Sequence, residues 1–173
     1  LFNQKKYDEA LNEFKLELNK EDKGQYCATL SYIGYIYFFQ TKYDEGIKVC
    51  NDALKINPTY IFAIETLACI YMTGLKDYDK AMQYWYQAER LGSESNFLYY
   101  NIACYYSINN DSNNAFRYID KTFFYGYRDI EWMKNDPDFN NIKSDKRFIL
   151  LLENFSSILL GDDLCKKGDE FFK

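Results

Sequence analysis

A small residue returns along this chain at a nearly constant interval, and that interval leaves few folds open. Gly34, Ala68 and Ala103 are separated by 34 and 35 residues, and Tyr37, Tyr71 and Tyr106 keep the same step three residues later. A second series, Ala10, Gly46, Ala81 and Ala115, is spaced by 36, 35 and 34 residues. Tyr7, Tyr43 and Tyr78 stand three residues before its first three members, and Phe14, Cys50, Trp85 and Ile119 four residues after all of them. Within each block the apolar residues fall on one helical face. Leu30, Ile33, Gly34 and Tyr37 do so in one segment, and Tyr43, Gly46, Ile47, Cys50, Ala53 and Leu54 in the next. Gln40-Thr41-Lys42 separates the two, and Asn57-Pro58 is a helix stop. Glycine and alanine mark where two helices come close, with large residues on either side. Each block is thus a helical hairpin that cannot bury its second face alone and needs neighbours of its own kind.

This pattern resembles the tetratricopeptide repeat, a helix-turn-helix unit of about 34 residues. Residues 27–60 carry the fullest match, through Leu30, Gly34, Tyr37, Tyr43, Ala53 and Pro58, and the likeness covers roughly residues 1–125. It implies an all-α, right-handed solenoid of such hairpins with a C-terminal helical cap. The expected divisions are a partial first repeat with its loop at 1–25, repeats at 26–59, 60–93 and 94–126, a helical closing cap at 127–160 and a terminal helix at 161–173. One extra residue in the third block is assigned to a turn at Thr73–Asp77 containing Gly74, and Ser112 replaces the usual tyrosine in the fourth. The predicted core is Leu30, Gly34, Tyr37, Ile47, Leu67, Ala68, Tyr71, Ala81, Trp85, Ala103, Tyr106, Ala115 and Ile119.

After Gly126 the period breaks. Tyr127-Arg128-Asp129, Trp132, Asn135-Asp136-Pro137-Asp138-Phe139, Asp145 and Arg147-Phe148 are similar to the closing module of many bacterial tetratricopeptide proteins. Asp129 is placed to cap a short helix carrying Ile130 and Trp132-Met133. Ser144 or Asp145 caps a longer one whose apolar stripe is Phe148, Leu151, Leu152, Phe155, Ile158 and Leu159. Such a helix covers the face that a last repeat would otherwise expose. The chain opens inside a repeat, so it reads as a piece of a longer protein. Leu164, Gly168 and Phe171 repeat the spacing of Leu30, Gly34 and Tyr37. That spare helix either begins a further array, docks on the orphaned N-terminal helix of another molecule, or is an ordinary amphipathic terminus.

Composition excludes several chemistries. The chain has no histidine, so the commonest general base and zinc ligand are missing. It has no nucleophile–base pair and no phosphate loop or glycine fingerprint. No enzyme activity, cofactor or metal is expected. A net charge of −5 without a long basic run argues against nucleic acid, and no stretch is long and apolar enough to span a membrane. Five cysteines at scattered helical positions read as reduced thiols in a reducing compartment, hence a cytoplasmic location.

What the family resemblance implies for function is a partner protein or peptide held in a groove lined by the first helices. The groove positions are Ser31, Tyr35 and Phe38 with Tyr32 at the edge, then Phe62, Glu65, Cys69 and Met72, then Tyr100 and Cys104 with Asn101 at the edge. No lysine or arginine stands among them, so a clamp for a terminal carboxylate is excluded. The surface is aromatic and soft, which fits an extended apolar or aromatic peptide, with one basic residue for Glu65. Two states of these rings stay open at this point: available to a ligand, or packed on one another. The alternative function is a structural one, in which terminal helices link chains head to tail.

Overall fold

The computed structural model describes residues 2–17 and 23–157. The proposed helix at Leu164–Phe172 lies outside the described residues. So do Ile158 and Leu159 of the cap stripe, and the loop expected at Asn19–Gln25 as far as residue 22. The chain divides into two compact units, Leu1–Ser93 and Glu94–Lys173.

The first unit contains α1 (Phe2–Glu17), α2 (Lys23–Phe39), α3 (Tyr43–Ile56), α4 (Ile61–Cys69) and α5 (Tyr78–Arg90). Helices α2 and α3 pair as a hairpin, as do α4 and α5, and α2 also lies against α1 and α4. The small residues sit where the period places them. A methyl at Gly34 would collide with Cys50 Sγ and stand 3.3 Å from Val49 Cγ2 and 3.4 Å from the Gly46 carbonyl. One at Gly46 would meet Ile70 Cδ1 at 2.9 Å and the Gly34 carbonyl at 3.3 Å. The two glycines therefore face each other across the α2–α3 contact. In the next hairpin Ala68, Ala81 and Trp85 are wholly buried with Ile64, Leu67 and Ala88.

The extra residue of the third block is not held in the turn. It is taken up inside the helix, because α4 runs on as a π-helical turn over Ile70–Gly74, closed by Leu75 N–H donating to the Ile70 carbonyl at 2.9 Å. The equivalent backbone bonds show the displacement. Lys42 N–H reaches the Tyr37 carbonyl and Asp111 N–H the Tyr106 carbonyl, whereas Asp77 N–H reaches the Tyr71 carbonyl, one residue farther along the chain. Gly74 belongs to this turn for reasons of space: any Cβ there would stand 2.7 Å from Tyr43 Cε1. Each hairpin turn also contains one left-handed residue, Thr41, Lys76 and Asn110 at φ of 58°, 57° and 61°.

The second unit contains α6 (Asn96–Ile108), α7 (Ser112–Phe124) and α8 (Ile130–Asn135), a 3₁₀ turn at Pro137–Phe139, and α9 over 146–157. Side-chain caps start its helices. Ser95 accepts from Leu98 N–H, Asp111 from Asn114 N–H and Asp129 from Trp132 N–H. Ile102, Ala103, Ala115 and Ile119 are fully buried between α6 and α7. The closing segment covers them: Phe155 stacks on Phe123 with centroids 3.9 Å apart, and Met133, Phe139, Ile142, Phe148 and Leu152 are buried. Asn141 Nδ2 donates to the Ser107 and Ile108 carbonyls at the end of α6, and Arg147 Nη1 donates to Asn113 Oδ1 while its guanidinium lies over the Phe116 ring.

Three predicted core residues sit farther out. Tyr37, Ile47 and Tyr106 are half-buried. Tyr106 stacks on Tyr118 at the edge of its hairpin. In the cap, Ile130 and Met133 point inward while Trp132 between them is 63% exposed, as a short helix with one buried face requires. Among the described residues no helix is long and apolar enough to cross a membrane.

Candidate functional site

The residues picked from the sequence separate into two environments. In the first unit they form a band of rings across α2 and α4. Phe14 of α1 stacks on Tyr32 at 5.4 Å, Tyr32 meets Phe62 at 5.0 Å, and Phe62 meets Tyr35 at 5.4 Å. Tyr35 continues to Phe38 at 6.3 Å and edge-on to Phe39 at 4.8 Å, and Phe39 stacks on Tyr7 of α1 at 5.7 Å. The band is thus built partly by α1, which Gln40 Nε2 also ties down by donating to Asp8 Oδ1 at 2.8 Å. Phe39, Tyr7 and Phe14 were not among the expected ligand-facing positions. The helical step from Tyr32 to Tyr35 to Phe39 would have indicated Phe39.

The faces of these rings pack on one another, yet Tyr32 and Phe39 are each 46% exposed and Tyr35, Phe38 and Phe62 are half-buried. Ser31, Cys69 and Met72 are buried. Ser31 turns back to its own helix, Oγ donating to the Cys27 carbonyl at 2.8 Å, and so presents nothing to a ligand.

Glu65 is the charged member of this surface. It lies one turn beyond Phe62 on α4, partly buried, and accepts from Ser93 Oγ at 2.5 Å. Burial pushes its carboxyl above the ordinary value of 4.5, and the Ser93 hydrogen bond opposes that rise. The Cys69 thiol one turn farther along is raised well above its usual range, mainly by burial and then by the Glu65 charge, so it stays protonated and inert.

The second unit treats its share differently. Tyr100 is buried, its ring against Tyr127 at 5.0 Å and edge-on to Phe139 at 5.5 Å, and its hydroxyl donates to Asp136 Oδ2. Cys104 is buried beneath the same turn, and its thiol atom and carboxylate oxygens of Asp136 and Asp138 lie within 4.8 Å of one another. Metal ligation would need the thiolate. Here burial, and secondarily the two carboxylates, hold the thiol well above its ordinary value, and Asp136 already serves as acceptor for Tyr100 and for the Asp138 N–H that starts the 3₁₀ turn. Those contacts give the acidic pair a structural use. Asn101 is half-exposed, with Nδ2 donating to the Phe97 carbonyl of its own helix at 2.7 Å.

Comparison with known proteins agrees with this architecture. Residues 33–60 match the family model of the tetratricopeptide repeat. No curated protein matches the chain. Among solved structures, the crystal structure of MamA is similar over 95% of this chain and 94% of its own, with a TM-score of 0.63 and 16% sequence identity, a likeness of fold. Residues 33–60 are thus a tetratricopeptide repeat, in a chain whose helical fold is like that of MamA.

Proposed function

We propose that this chain is a protein-interaction module that takes an extended apolar segment of a partner along the aromatic band of its first unit. The observation that carries this reading is the unbroken series of ring contacts from Phe14 through Tyr32, Phe62, Tyr35 and Phe39 to Tyr7, with half-exposed rings along it. Rings that brace each other are already ordered, so a partner laid on them forfeits little side-chain entropy. Tyrosine and phenylalanine offer large area with few rotatable bonds, the composition of interface anchors. In the second unit Tyr100 and Cys104 lie under the cap, which leaves the first unit as the binding face.

The test is fluorescence anisotropy with labelled, amidated peptides that alternate phenylalanine or leucine with serine. Phe62→Ala should weaken binding by about thirtyfold, the loss expected of an interface anchor worth about 2 kcal/mol. Peptides that bind the Phe62→Ala and Tyr35→Ala variants as well as the parent would refute the assignment. Head-to-tail linkage through Leu164–Lys173 is distinguished by light scattering over a concentration series. Assemblies that grow with concentration and vanish when that segment is deleted, in a protein that binds no peptide, would replace the present reading with the structural one.

A further inference from the structure

Glu65 has chemistry that the fold does not use. It stands one turn from Phe62 on the α4 face that carries the band, and Cys69 follows one turn later. Its Oε1 accepts from Ser93, a neutral donor, and among the described residues no cation pairs with the carboxylate and Oε2 takes no hydrogen bond. A carboxylate has about four acceptor sites on two oxygens, so most of its capacity is unspent. The other expected ligand-facing residues of this unit, Ser31, Tyr32, Tyr35, Phe38, Phe62, Cys69 and Met72, carry no charge at neutral pH. A half-desolvated anion on an apolar surface is costly unless something pairs with it.

Resting on the binding reading above, we infer that the segment held on the aromatic band carries one lysine or arginine whose cation lodges beside Phe62 and pairs with Glu65. The band supplies both halves of such a site: a carboxylate with an open oxygen, and an aromatic face one turn away for the stem and charge of the incoming side chain. The pair would fix the register of a ligand that the rings alone would let slide, since aromatic contacts do not discriminate one apolar residue from its neighbour.

The probes are fluorescein-labelled, amidated octapeptides of alternating phenylalanine and serine with a central guest: lysine, its uncharged analogue norleucine, or glutamate. For the parent protein the lysine peptide should bind about tenfold or more tighter than the norleucine peptide, as a charge-assisted hydrogen bond provides, and the glutamate peptide weakest. In Glu65→Gln, which keeps an acceptor for Ser93, the lysine and norleucine peptides should bind alike, and Phe62→Ala should weaken both. Equal binding of lysine and norleucine peptides to the parent, or a lysine preference that survives Glu65→Gln, overturns the cation site while leaving the aromatic surface in place. Failure of every peptide, or indifference to Phe62→Ala, overturns the surface as well.

Discussion

Replacing Gly34 by alanine tests the helix contact on which the hairpins depend. Two opposed effects follow. Alanine inside a helix is favoured over glycine by about 1 kcal/mol. Against that, the new methyl collides with the wholly buried Cys50 sulfur and presses on Val49 Cγ2 at 3.3 Å. Overpacking of this kind costs roughly 1–3 kcal/mol. Gly34→Ala alone should therefore destabilise by roughly 0–2 kcal/mol. Cys50→Ala alone should lose about 1 kcal/mol, as for a buried methyl-sized group. Combined, the changes should not add. With the sulfur gone the methyl at 34 occupies its place, Val49, being half-buried, has room to give, and the helix preference is recovered. The sign of Gly34→Ala thus reverses, from destabilising in the parent to stabilising by about 1 kcal/mol in the Cys50→Ala background. Urea denaturation followed by circular dichroism, with the slope checked for constancy, measures all four corners of the cycle. Effects that add within about 0.5 kcal/mol would refute the claimed contact.

The hairpin turns supply a second prediction. Asp77 and Asp111 cap their helices through side-chain oxygens, whereas Lys42 at the same place offers none. Lys42→Asp should add about 1 kcal/mol, against about 0.5 kcal/mol for the loss of a distant ammonium over the Tyr37 ring. The melting temperature should rise by a degree or more, and a fall would show that the turn cannot present the carboxylate. The third concerns Glu65 without ligand. Its folded pKa is raised above its unfolded value, so its contribution is most favourable below the unfolded pKa and is lost as pH rises through the folded one. Glu65→Gln should match the parent in stability near pH 4 and exceed it at pH 7; a constant difference across that range would contradict the desolvation argument.

The fold was legible because its determinants are local and repeated. Gly34 and Gly46 meet across α2 and α3, where a Cβ on either would crowd the facing helix. The extra residue of the third block could be counted from the sequence but not placed. A loop and a π turn both absorb one residue; the π turn that forms brings Gly74 against the Tyr43 ring, where a Cβ would stand 2.7 Å from Cε1. Tyr37 and Tyr71 occupy the same repeat position, yet only Tyr71 is buried, stacked on Tyr84 and with Lys80 Nζ over its ring at 4.3 Å from the centroid. Such differences come from neighbours that do not repeat. The ring band was legible only in part for the same reason, because Tyr7 and Phe14 enter it from α1, outside the hairpin that carries the pattern.

Ser31, Glu65 and Tyr100 hold one position in successive repeats, and their surroundings differ. Ser31 satisfies itself on its own helix and is inert. Tyr100 is claimed by the closing segment, whose Asp136 accepts from its hydroxyl and whose Phe139 packs on its ring. In covering the last hairpin's core the closing segment also takes up Tyr100, one of the positions expected to face a ligand. Glu65, with only a serine for company and an aromatic ring one turn away, is the member of the series left with unspent acceptor capacity. The repeat gives the three the same place in their own hairpins, and the non-repeating contacts give each a different use for its polar atoms.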